Sequence, residues 1–179
     1  IDLTNAIVAT VGNSMRTVLA GSSLGVATIT ATDSQLSSAG SSSYVVSVAG
    51  GANATLTNTT VSSTGATSHG LYTSSVDIGG TITANAATIN TSGAGSHGAF
   101  AQTTGVINLT DSSITTLGDG SYGLYSSGNG TVLSFSGGSV TTTGAGSHGI
   151  YAVAGGHVVL SGSQAIVSVA GGSLTHGLY

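Results

Sequence analysis

A nine-residue phrase that returns at a nearly fixed interval limits what this chain can become. Gly144-Ala145-Gly146-Ser147-His148-Gly149-Ile150-Tyr151-Ala152 is matched by Gly93-Ala94-Gly95-Ser96-His97-Gly98-Ala99-Phe100-Ala101. Further copies begin at Gly65 and Gly118, a degenerate one begins at Gly40, and the chain ends within Ser173-Leu174-Thr175-His176-Gly177-Leu178-Tyr179. The His or Tyr in the fifth place serves as an anchor. It falls at Tyr44, His69, His97, Tyr122, His148 and His176, in steps of 25, 28, 25, 26 and 28 residues. A period of this size is the signature of a stacked repeat array.

Each repeat follows one grammar. An alternating apolar–polar stretch comes first, as in Ala27-Thr28-Ile29-Thr30-Ala31 or Val132-Leu133-Ser134-Phe135. That alternation is the period of a strand. Eleven residues before the anchor stands Asp33, Asn58, Ala86, Asp111, Gly137 or Ala165. Asp, Asn and Gly suit the left-handed conformation of a tight turn. A second short strand carries Leu36, Val61, Ile89, Ile114, Val140 and, with the phase slipped, Val167. Four residues before the anchor is a Gly in all six copies, Gly40 through Gly172, which predicts a corner that no Cβ can occupy. A third strand runs through the phrase itself and carries Val46, Leu71, Ala99, Leu124, Ile150 and Leu178.

One such repeat cannot bury its apolar face alone, whereas stacked coils bury a continuous core. The reading is an all-β protein: a three-sided parallel β-helix of about 25–28 residues per coil and six to seven coils, roughly 30 Å long at about 4.8 Å per coil. Residues 1–25 read as a degenerate first coil, with Met15 or Arg16 near the anchor position, and 26–179 as regular coils of a single domain. The chain opens and closes in mid-pattern, so it is expected to be a segment of a longer array.

Composition narrows the function. Of 179 residues, one is Lys or Arg and five are Asp or Glu, with no Cys, Pro or Trp. So few cations argue against nucleic-acid binding, which needs phosphate neutralisation. No apolar run is long enough for a transmembrane helix. The scattered carboxylates argue against an enzyme. Asp33 and Asp111 share a turn position but lie in coils separated by two others, too far apart for joint acid–base work. Neither a catalytic residue nor a cofactor site is expected. The Gly-x-Gly corners precede strands, not helices, so they are not phosphate loops.

The phrase G-x-G-S-H/Y-G-[LIA]-[YF]-A, followed by a Gly turn and strands such as Thr131-Val132-Leu133-Ser134-Phe135, resembles passenger domains of Gram-negative autotransporters. Pertactin-like and AIDA-like adhesins are the nearest kinds, over about residues 26–179. The resemblance implies a right-handed parallel β-helix, displayed at the bacterial surface through a separate C-terminal β-barrel. It also implies a role in adhesion, autoaggregation or biofilm formation, with self-association or a host surface or glycan as partner. Within that family the segment reads as a stem. The alternatives are a coil segment of a trimeric phage tail fibre or tailspike, and an ice-binding solenoid.

Three columns are candidate surface features. His69, His97, Tyr122, His148 and His176 form one. Stacked imidazoles can share a metal, but Tyr122 interrupts the file and a zinc site usually needs three or four ligands, so no metal is expected. If exposed, the histidines would make the rod pH-responsive: protonating all five in the chain moves the formal charge from -4 to +1. The second column, Tyr72, Phe100, Tyr125, Tyr151 and Tyr179, offers either a strip for sugar rings or a partner, or a packing ladder. The third, Ser38, Ser63, Thr91, Thr116 and Thr142, reads as a hydroxyl surface able to order water, as in ice-binding solenoids, or to carry glycans.

Overall fold

The same register links every lap of the backbone to the next. In the computed structural model, which describes residues 1–21, 26–74, 77–162, 164–170 and 175–179, every strand pair is parallel and joins equivalent places one repeat apart. Ile29 pairs with Ala54, Ala54 with Ile82, Ile82 with Ile107, and Ile107 with Leu133. Likewise Leu36 pairs with Val61, Val61 with Ile89, and Ile89 with Ile114. The chain is a parallel β-solenoid, a β-helix of about six coils with no helix among the described residues.

Third strands form a seven-stranded sheet. First and second strands share a twelve-stranded one, because in two coils they fuse into single eleven-residue strands, Val106–Thr116 and Val132–Thr142. A positive φ at Asp111 (49°) and Gly137 (71°) bends each fused strand at the expected turn. Asn5, Asp33, Asn58 and Ala86 hold the same conformation at φ of 49–51°. Ala86 adopts it without the local hydrogen bonding that makes it easier for Asn and Asp. In the last coil the expected turn residue, Ala165, is not the one used. The register Leu133↔Val158 shifts the first strand forward, and Gly162 takes the positive φ of 83°. In the first coil Arg16 is the anchor, paired with Tyr44.

The core lies between the sheets. Ile29, Leu36, Leu56, Leu71, Ile82, Ile89, Ile107, Leu109, Ile114, Leu124, Leu133 and Phe135 are all fully buried. Each contributes roughly 1.5–3 kcal/mol. Large and small residues exchange places between neighbouring coils: Ile29 with Ala31, then Ala54 with Leu56, then Ile82 with Ala84. That exchange keeps the cross-section filled while the strands stay in register.

Coil stacking explains the invariant glycines. A Cβ on Gly65, Gly93, Gly118 or Gly144 would stand 2.0–2.1 Å from the carbonyl oxygen of the equivalent glycine one coil earlier. The corner forbids a side chain by contact rather than by conformation. Gly172 lies outside the described residues.

Candidate functional site

The anchor column and the aromatic column form one surface feature. Strict alternation from the buried Leu71 would turn His69 inward. The glycine after the anchor prevents that. Gly70 N–H donates to His97 O at 3.1 Å and Leu71 N–H donates to Gly98 O at 2.9 Å, so two successive amides point the same way. The pleat is interrupted there. Gly70 turns toward the core, where a Cβ would lie 2.7 Å from Ile89 Cγ2. His69 and Tyr72 therefore both stand on the outer side of the third sheet. The same arrangement recurs at Gly98 and Gly123, where a Cβ would meet Ile114 and Val140.

The result is two files of rings. Along the first, centroids are 5.2 Å apart for Tyr44–His69, 4.8 Å for His69–His97, 4.7 Å for His97–Tyr122, 5.1 Å for Tyr122–His148 and 5.0 Å for His148–His176. Along the second they are 5.4 Å for Tyr72–Phe100, 4.3 Å for Phe100–Tyr125, 5.3 Å for Tyr125–Tyr151 and 5.1 Å for Tyr151–Tyr179. Edge-to-face contacts tie the files together, as between His97 and Phe100 at 84°. Arg16 closes one end over the Tyr44 ring at 5.4 Å. All nine candidate surface residues, His69, His97, Tyr122, His148, His176, Tyr72, Phe100, Tyr125 and Tyr151, belong to this spine. Many ring faces are covered by the neighbours above and below. Phe100–Tyr125 and Tyr151–Tyr179, stacked at 10° and 19°, are arranged as in a packing ladder.

Three of the column's histidines sit in surroundings that disfavour the charged form. His69, His97 and His148 are each 8% exposed. His69 Nδ1 accepts the backbone N–H of His97 at 3.1 Å, and His97 Nδ1 accepts that of Tyr122 at 3.0 Å. An accepting Nδ1 places the ring proton on Nε2. Burial lowers the His69 pKa to about 4; burial and the adjacent His69 lower that of His97 to about 3. Burial, and then His176, also lower that of His148. The expected charge change near pH 5 is therefore withheld from His69 and His97. With both Nδ1 lone pairs engaged by backbone, this pair is also poorly set to share a metal. No group of three metal-ligating side chains converges among the described residues.

Immediately before the anchor lies a feature the sequence reading overlooked. Ser43, Ser68, Ser96, Ser121 and Ser147 are completely buried. Ser96 Oγ accepts Ser68 N–H at 2.9 Å and donates to Gly65 O at 2.9 Å. Ser68 does the same toward Ser43 N–H (3.0 Å) and Gly40 O (2.7 Å), and Ser121 toward Ser96 N–H (3.0 Å) and Gly93 O (3.1 Å). Each hydroxyl thus clamps its own coil to the corner of the preceding one. Ser96 is a structural clamp.

The third column is a correction. Ser38, Ser63, Thr91, Thr116 and Thr142 lie inside, at 0–3% exposure. Each stands two residues beyond an inward aliphatic, Leu36 through Val140, so the pleat carries it to the same side. Ser63 Oγ donates to Ser68 O at 2.7 Å and Thr91 Oγ1 to Ser96 O at 2.9 Å. This column offers no surface to water or glycans. The outward positions of the first strands are hydroxyl-rich instead: Thr30, Thr55, Thr83, Asn108 and Ser134 are in register. Asp33 and Asp111 occupy equivalent turns with the Asn58 and Ala86 coils between them, and Asn58 Nδ2 hydrogen-bonds Asp33 Oδ1.

No protein-family model matches the chain, and comparison with curated proteins and with solved structures gave no match either.

Proposed function

We propose that this chain is a non-enzymatic, rod-like segment of a surface-displayed adhesin of the autotransporter-passenger kind. Its role is to extend a binding region from the cell and to support adhesion or cell–cell aggregation. One observation carries the reading: a parallel β-solenoid whose first and second strands turn mostly Thr, Ser and Asn outward, with very few charges. Neighbouring rods of this composition meet little like-charge repulsion. Their outward hydroxyls donate and accept, so they can hydrogen-bond one another in many registers. The covered aromatic spine supplies stiffness, and the serine clamps keep coils from separating.

Display on a non-adherent bacterial cell tests the proposal. Cells carrying the segment should settle into clumps within hours, while cells carrying a display scaffold alone stay dispersed. Dispersed cells, together with no retention on host-cell or glycan-coated surfaces, would remove the adhesive role from this segment.

A further inference from the structure

The outward face of the first strands carries files of threonine hydroxyls through three coils, with Asn53 and Asn85 among them and Val106 and Val132 beyond. Thr30, Thr55 and Thr83 make one file, in register across three coils. Thr32 and Thr57 lead a second, which Thr110 rejoins after Asn85. Files two residues apart are separated by about 6.6 Å, and coils by about 4.8 Å. These six side chains are exposed or half-exposed. None is engaged in a side-chain hydrogen bond within the protein. Threonine has few χ1 choices on a strand, so each hydroxyl and methyl is held nearly fixed before anything binds. From Thr28 to Ser136 the face carries no charge and no aromatic ring.

We propose that this face binds ordered water, specifically the surface of an ice crystal. The chemistry selects that occupant. A hydroxyl both donates and accepts, and so does water, so a lattice of water can satisfy every position without a matching pattern of donors and acceptors. A polysaccharide surface would call for exposed ring faces, which this side lacks. A nucleic acid or an anionic membrane would call for cations. Fixed side chains lose little entropy when a rigid lattice docks on them. The methyl groups add apolar contact between the hydroxyls.

Dye-labelled protein exposed to a slowly growing ice hemisphere tests this, alongside an ice-recrystallisation assay. The chain should coat the ice and slow grain growth. A Thr55→Lys/Thr83→Lys variant, charged at the centre of the face, should lose at least tenfold in both readouts. Ser62→Lys/Asn90→Lys, a register pair on the neighbouring second-strand face, should retain both. Circular dichroism and thermal melts confirm that each protein is folded. Bare ice with the folded parent protein, or equal loss in the two variants, would overturn the proposal. Sedimentation of the same samples reads rod–rod association separately, so failure on ice leaves the adhesive reading intact.

Discussion

The Nδ1 atom of His69 accepts the backbone N–H of His97, one coil further along, at 3.1 Å. This bond joins two laps of the chain through a side chain that must stay neutral to make it. Protonating Nδ1 would turn an acceptor into a donor facing another donor.

Acid should therefore weaken the fold well above the range where carboxylates titrate. His69 and His97 have folded pKa values of about 4 and about 3, against 6.5 ordinarily. Between pH 6.5 and those values the unfolded chain takes up protons that the folded chain refuses, so stability falls with pH. It is fully present above pH 6.5 and is lost on the way down to those values, by on the order of 3 kcal/mol for His69 and on the order of 5 kcal/mol for His97. Thermal melts from pH 7.5 to pH 4 should show a falling midpoint. His97→Phe should start lower, because Tyr122 N–H loses its acceptor, but decline less steeply. A midpoint that stays level over this range would contradict the buried, neutral state of these rings.

Removing a serine clamp should cost more than its size suggests. Ser96→Ala leaves Ser68 N–H and Gly65 O without the partner they share. Each buried group left unpaired costs about 1–3 kcal/mol. The outward Ser62→Ala should stay within about 0.5 kcal/mol of the parent. Denaturant unfolding of the two variants makes the comparison, and similar losses would count against the clamp.

Two glycine classes should separate under substitution. Gly93→Ala drives a methyl to 2.0 Å from Gly65 O, so the coils must part, and the variant should unfold or open at that corner. Gly146 has φ of 65° and open space around the missing Cβ, so Gly146→Asn should fold with a loss of about 1 kcal/mol or less. Proteolysis followed by mass mapping would locate any opening. Cleavage near residue 93 in the first variant and none near 146 in the second is expected.

Trimming the largest core ring should be costly without exposing new surface. Phe135 is fully buried in register with Leu109 and Leu160. Phe135→Ala should lose about 3–5 kcal/mol, while Phe135→Leu, which matches both neighbours in the file, should lose far less. Equal losses would mean that the file is not packed as described.

The coil architecture was legible because its constraints repeat. Gly65, Gly93, Gly118 and Gly144 mark the corner, and Leu36, Val61, Ile89 and Ile114 mark one wall of the core. The side on which His69 stands was not legible. It depends on two consecutive amides at Gly70 and Leu71 pointing one way, and a glycine announces freedom without saying how it is used. The interior place of Thr116 was readable from its spacing to Ile114, but an abundance of outward Ser and Thr masked it. The serine clamp was also in view, as the same residue before five successive anchors. Its meaning needed the corner carbonyl of the neighbouring coil, which sequence spacing does not locate. The last coil slips because the turn moves to Gly162, ahead of Ala165.

The placement of side chains one lap apart on a single face can be measured directly, since the chain has no cysteine to interfere. Ser62 and Asn90 are register partners on adjacent coils. Pyrene attached to a Ser62→Cys/Asn90→Cys variant should give strong excimer emission that vanishes on unfolding. A Ser62→Cys/Thr83→Cys variant, with its labels on second- and first-strand faces, should give little. Weak emission from the first pair in the folded protein, or equal emission from both, would contradict the stacked-coil arrangement on which the proposed functions rest.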